Sequence, residues 1–347
     1  MPQTPREIVT RCLKFERPER TPRDLWLLPW AGMRYPDTVK KIEELYPNDF
    51  VRPDYFYPAS PRVKGDPYQI GYFTDEWGCK FRNIQEGVIG EVETPQLLDI
   101  ADRKQVKPPY DQLPTALQPA RDQIRRFYDS TNRFVLANCC PRPWERYQFV
   151  RGTENAMVDM MMPEQGGGDL LRKIHAFYVK ELEFWAQMDV DALMFMDDWG
   201  AQNQLLIPPR IWRELFKPLY KDYCDIAHAR GKFVFMHSDG FISEIYDDLV
   251  EIGVDAINSQ LFCMDMADLS RRVKGKITFW GEIDRQHVLP SANPQDGRDA
   301  VREMAKHLYD PNGGLIAEFE FGAGANPETA LVIFDEWRKI DLENEGR

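Results

Sequence analysis

Five short apolar runs in the second half of the chain constrain its fold most. Each ends in side chains that bind ions or move protons rather than in turn formers. They read ALMFMDDWG (192–200), KFVFMHSDG (232–240), VDAINSQ (254–260), ITFWGEID (277–284) and LIAEFEFG (315–322). Runs of this length, rich in Val, Ile, Phe and Met, suit strands covered on both faces, as in parallel sheets. Helix-like segments separate them, so the order is β-α-β-α and the prediction is a single (β/α)8 TIM barrel. In such barrels reactive groups stand at the carboxyl ends of the strands. Here those ends offer Asp197, Asp198, His237, Asp239, Asn258, Gln260, Glu282, Asp284, Glu318 and Glu320.

The chain has 347 residues, about 100 more than a minimal barrel of about 250. One domain over residues 1–347 is therefore expected, with helices and loops of about 1–130 elaborating the barrel mouth. A hydrophobic fraction of 43% supports a sizeable core, and no apolar window is long enough for a membrane span. Charges occupy the N-terminal MPQTPREIVTRCLKFERPER where an export signal needs an apolar centre. The six cysteines include no CxxC pair, so reduced thiols and a cytoplasmic location are expected. A net charge of −12 disfavours nucleic acid and acidic membranes as partners.

Along the chain, residues 5–16 read as an amphipathic helix and DLWLLPWA (24–31) as a first strand. Residues 36–47 read as a helix, and 50–95 as hairpins and loops. A helix near 115–129 precedes RFVLANCC (133–140), a second strand, and a long helix covers about 169–187. Pro208 and Pro209 open a helix in which Pro218 predicts a kink; Gly253 stops another over 241–252.

His237 and Asp239 lie two apart after a strand and share a side if extension persists, so both can converge on one ion. A structural histidine with Asp239 capping the next helix suits the motif equally. Glu318 and Glu320 alternate with Phe319 and Phe321; they face the interior or form a strand-end salt bridge. Asp197 and Asp198 cannot both face one way, so one is functional and the other a cap or ion pair. Glu282 and Asp284 repeat the two-residue spacing. Cys139 and Cys140 read as buried inert thiols, and His175, His228, His287 and His307 as surface or structural groups.

Residues 194–240, together with IGVDAINSQ and WGEIDRQHVL, resemble the uroporphyrinogen decarboxylase superfamily. They are similar to its Asp-Asp/Ser-Trp-Ala/Gly element, its Pro-Tyr-centred helix, His-x-x-Gly and Gly-x-x-Asp. PWERYQFVRG (143–152) resembles its Pro-x-Thr…Gly element and DEWGCKF (75–81) its Asp-Glu-x-Gly loop. The likeness covers roughly residues 5–340 and implies a single (β/α)8 barrel. The superfamily joins the decarboxylase of haem synthesis to zinc- and corrinoid-dependent methyltransferases.

The decarboxylase's arginine-bearing Arg-Gln-Ala-Gly-Arg element is Pro29-Trp30-Ala31-Gly32-Met33-Arg34 here. Its Phe-Ser-Asp element has no clear counterpart near Phe50–Pro58, and Gln148 stands at the spacing of its tyrosine, beside Tyr147. A porphyrinogen with eight carboxylates suits neither this segment nor a charge of −12. The methyltransferase branch binds zinc through His-x-Cys and a last-strand Cys, where this chain has His237, Asp239 and Glu320. The resemblance thus implies zinc on those three residues and transfer of a methyl group from a small O- or N-methylated compound to a corrinoid on a separate protein. Catalytic roles fall to Asp197, Asp198, Glu282 and Asp284. Substrate contacts fall to Trp30, Arg34, Trp77, Tyr147, Trp199, Asn258, Gln260 and Trp280. A decarboxylase of a smaller carboxylate and a non-catalytic binding member are the alternatives.

Overall fold

The computed structural model describes residues 2–344. Its strands are β1 (Arg23–Leu27), β2 (Phe50–Val51), β3 (Gly71–Thr74), β4 (Lys80–Asn83), β5 (Glu91–Thr94), β6 (Phe134–Val135), β7 (Ala192–Met196), β8 (Phe233–Ser238), β9 (Ala256–Ser259), β10 (Thr278–Trp280) and β11 (Leu315–Phe321). Six form one parallel sheet in the order β1-β11-β10-β9-β8-β7, and β2 pairs with β6 in a second parallel sheet. All five apolar runs are strands of the large sheet, and helices intervene, so the fold is α/β and TIM-barrel-like.

The continuous ladder covers six strands, where the sequence predicts eight. The shortness of β2 and β6 accounts for the difference: Pro53 ends β2 almost as soon as it forms, since proline has no N–H for a ladder, and β6 spans only Phe134–Val135 of the expected 133–140. A few backbone bonds flank the small sheet: Asp49 N–H donates to Arg23 O at 3.0 Å on one side, and Asp191 N–H to Val135 O at 2.8 Å and Ala137 N–H to Ala192 O at 3.0 Å on the other. The first strand also stops early. Pro29 opens a helix at Pro29–Arg34, because its fixed φ favours a first helical turn over strand. Instead of one kinked helix after Pro209, two helices (Pro209–Leu215 and Lys217–His228) meet at Phe216.

The interior is filled by Phe50, Phe134, Phe235, Trp280 and Ile316. Val9, Cys12 and Leu13 of the helix Pro5–Leu13 join this cluster, and Gly314 N–H donates to Cys12 O at 3.0 Å. That helix therefore plugs the end where the strands begin and leaves the carboxyl ends as the mouth. β3, β4 and β5 form an antiparallel sheet within the expected hairpin region. Among the described residues no helix is long and apolar enough to cross a membrane.

Candidate active site

Parallel register decides which side chains meet at the mouth. Met196 pairs with His237 across β7 and β8, and His237 with Asn258 across β8 and β9. His237 Nδ1 lies 2.5 Å from Asn258 Oδ1; an amide oxygen only accepts, so Nδ1 carries the proton and donates. Asn258 Nδ2 donates to Trp280 O at 2.7 Å and to Glu318 Oε2 at 2.8 Å, which fixes the amide and hence the ring. Nε2 then points away, 3.5 Å from both Asp198 Oδ1 and Asp239 Oδ1.

Two glycines bring those carboxylates together. A Cβ at Gly200 would stand 2.2 Å from Phe241 N, and one at Gly240, where φ is +77°, 2.1 Å from Gly200 O. The loops after β7 and β8 thus touch backbone to backbone. Gly200 N–H donates to Asp239 O at 3.0 Å, and Asp239 N–H to Asp198 Oδ1 at 3.0 Å. Among the described residues Asp198, His237 and Asp239 form a group whose ligand atoms all lie within 4.8 Å of one another.

Glu320 is not in that group. It accepts from Arg285 Nη1 at 3.1 Å, the strand-end salt bridge that the sequence left open, and Asp198 takes the third place. Asp197 is a cap. Buried, it accepts from the Trp144 and Glu145 amides at the start of the helix Pro143–Arg151, at 2.9 and 2.8 Å, and from the Tyr220 hydroxyl at 2.7 Å. Asp284 binds its own turn, accepting from the amides of Gln286 and His287 at 2.7 and 2.9 Å.

Glu282 is buried, and neither of its oxygens has a hydrogen-bond donor. Arg285 Nε approaches Oε1 to 2.6 Å, in a geometry that gives charge attraction without a hydrogen bond. Burial pushes Glu282 up to about 8; Arg285 and His237 oppose this, while Asp239 and Glu320 add to it. Burial would depress His237, but Asp198, Asp239 and Glu282 outweigh it and raise the imidazole to about 10. Glu318 is also raised, first by burial and then by Glu282 and Asp24. The mouth is therefore a crowded set of carboxylates that needs cations.

Arg285, absent from the sequence-based list, supplies one: it pairs with Asp239, Glu282 and Glu320 together. Its only local sign is a lone cation after GEID. Trp26 of β1 packs on His237 with ring centroids 5.2 Å apart and lines a mouth cavity.

The other expected substrate contacts divide. Gln260 lines the mouth and accepts from Gly240 N–H at 3.0 Å. Trp30 is half-buried, with Arg34 over its ring at 5.8 Å. Trp77, Trp199 and Trp280 are fully buried packing residues: Trp199 stacks on Trp144, and Trp280 fills the interior. Large apolar rings gain more from burial than from loop exposure. Tyr147 is buried too, its hydroxyl bound to Asp159 at 2.9 Å. Cys139 is buried with its thiol pushed up by burial, as expected. His175, His228, His287 and His307 each pair with a carboxylate away from the group.

A family model described as uroporphyrinogen decarboxylase (URO-D) matches residues 68–337. The chain belongs to this family. Among solved structures, a methyltransferase from Methanosarcina mazei superposes with a TM-score of 0.67 at 13% identity, covering 97% of this chain and 99% of that one. At that identity the likeness establishes fold alone. Xylanase 10B from Thermotoga maritima covers 66% of this chain and 82% of its own at 11% identity, with a TM-score of 0.37, too loose to carry an argument. No curated protein matches. The matched span contains the candidate ligands, Asn258, Glu282 and Arg285.

Proposed function

We propose that this family member is a zinc-dependent methyltransferase that moves a methyl group from a small O- or N-methylated compound to a corrinoid on a separate protein. The observation that carries the reading is the buried His237 imidazole, locked by Asn258 and turned through Nε2 toward Asp198 and Asp239. One imidazole nitrogen and two carboxylate oxygens are donor types that zinc accepts, and three protein ligands leave the open position that a catalytic site keeps. The Asn258 bond to the second ring nitrogen is the outer-shell support that metal-binding histidines use. A bound zinc ion would supply Lewis acidity toward the substrate's heteroatom, which hard oxygen ligands favour.

The chain's own residues do the rest. Glu282, raised to about 8, holds a proton at neutral pH. A reduced corrinoid, when bound, would supply the nucleophile that accepts the methyl group; the bonding electron pair would stay on the substrate's oxygen or nitrogen, and Glu282 would donate the proton that neutralises it. Arg285 remains charged throughout and steadies Asp239 and Glu320. A closed eight-stranded barrel in the cytoplasm belongs to the same reading. The bonds from Asp49 to Arg23 and from Ala137 to Ala192, and six free cysteines, support it. The likeness to a protein named as a methyltransferase agrees.

Incubation with cob(I)alamin and a panel of methoxylated and N-methylated compounds tests the reading. Methylcobalamin should form with at least one compound and not with His237→Ala. Silence across the panel, with coproporphyrinogen formed from uroporphyrinogen, would put the carboxy-lyase first. Silence in both assays would make this a binding protein.

A further inference from the structure

Two cavities that share Leu28 and Tyr68 open at the mouth. One, of about 640 Å3, reaches Asp239, Arg285 and Glu320 and belongs to the site already described. The other, of about 610 Å3, is lined by Trp26, Leu28, Arg52, Met194 and Met196, with Asp24 in its wall. Its cation differs from Arg285. Arg285 is already matched by Asp239 and Glu320, whereas Arg52 makes no ion pair with any described residue. Its Nη1 donates to Ala137 O at 2.6 Å and its Nη2 to Met194 Sδ at 3.0 Å.

These two bonds hold the guanidinium by acceptors at the end of β6 and in β7 while the side chain stays open to solvent. A guanidinium has five N–H donors in one plane and remains charged at any physiological pH. Clamped through two of them, it offers the others as a fork that matches a carboxylate. Asp24 feels the Arg52 charge but forms no ion pair with it: its Oδ2 accepts from the indoles of Trp26 and Trp280, both at 3.0 Å. Trp26 lines the cavity and also packs on His237. A molecule seated on Arg52 therefore lies one indole away from the candidate ligands.

We propose that the substrate is a methylated compound that also bears a carboxylate, seated on Arg52 with its apolar body against Trp26, Leu28 and Met196. The reacting end of this assignment rests on the methyltransferase reading; the carboxylate seat does not, so the test is binding rather than turnover. The tryptophan fluorescence of the full chain is titrated with 4-methoxybenzoate and with its neutral counterpart, 4-methoxybenzyl alcohol. The carboxylate should bind at least about tenfold more tightly, the effect of one charge-assisted pair. Arg52→Gln should reduce the preference to within about twofold, and Arg52→Lys, which keeps the charge and loses the fork, should retain part of it. Unchanged near-ultraviolet dichroism shows that both variants are folded. No preference in the wild type, or a preference that survives Arg52→Gln, overturns the proposal. A preserved preference pattern without any methyl transfer leaves the seat standing and removes only the reaction.

Discussion

Asp197 accepts from two amides and a tyrosine hydroxyl with no solvent access, whereas Asp198 accepts from one amide and faces His237. Removing the first orphans three donors in the core; removing the second orphans one at a partly open mouth. Asp197→Ala should therefore cost about 2–4 kcal/mol and Asp198→Ala markedly less, read from urea midpoints of the two variants. Equal losses would remove the distinction between the two residues, and a larger loss for Asp198→Ala would reverse it. The sequence shows that only one of the pair can face inward, through the alternation of a strand. It cannot show which, because the choice depends on a helix start at Pro143 that lies far away in the chain. Arg285 and Arg52 were illegible for a related reason. Their roles consist of which strand ends surround them, or fail to, and that is a tertiary property.

At the scale of elements, the loops after β7 and β8 work as one unit because Gly200 and Gly240 let their backbones touch. Gly200→Ala would force a Cβ to 2.2 Å from Phe241 N, and backbone cannot yield as a side chain does. The expected result is a loss of about 1–3 kcal/mol or more together with loss of metal binding, read by thermal melting and zinc titration. Normal zinc binding in that variant would detach the loop contact from the site. A second element-level test lies on the far face, where Glu336 of the helix Pro327–Asn344 pairs with Arg298 and Arg302 of the helix Pro294–Leu308 and with Lys339. Burial would raise Glu336, but these hydrogen bonds hold it below its ordinary 4.5. A depressed carboxylate stabilises fully above the unfolded value and loses that stabilisation as pH falls through the folded one. The melting temperature should therefore fall with acid below about pH 4.5, and less steeply in Glu336→Gln; parallel slopes would contradict the ion-pair account. The five long strands were legible because apolar runs bounded by helical periodicity are a local signal. β2 was not, since two residues before Arg52-Pro53 carry no period.

For the molecule as a whole, a plug helix closes one end of the strands and charged strand ends line the other. Five acidic side chains, Asp198, Asp239, Glu282, Glu318 and Glu320, stand there beside His237 and Arg285. His237 can settle that excess in two ways: as an imidazolium paired with Asp198 and Asp239, or as a neutral ligand to a cation that all three share. The family and the α/β barrel-like fold were readable from strand-end motifs. Of the three residues expected to converge, His237 and Asp239 lie in one close group with Asp198, while Glu320 lies outside it, which strand alternation alone does not reveal. Zinc content of protein purified without chelator distinguishes the two states of His237 directly. The account predicts about one ion per chain in the wild type and in Glu320→Gln, and less than about 0.2 in His237→Ala. Less than about 0.2 ion in the wild type, or a content unchanged by His237→Ala, would contradict it and make the histidine a structural cation.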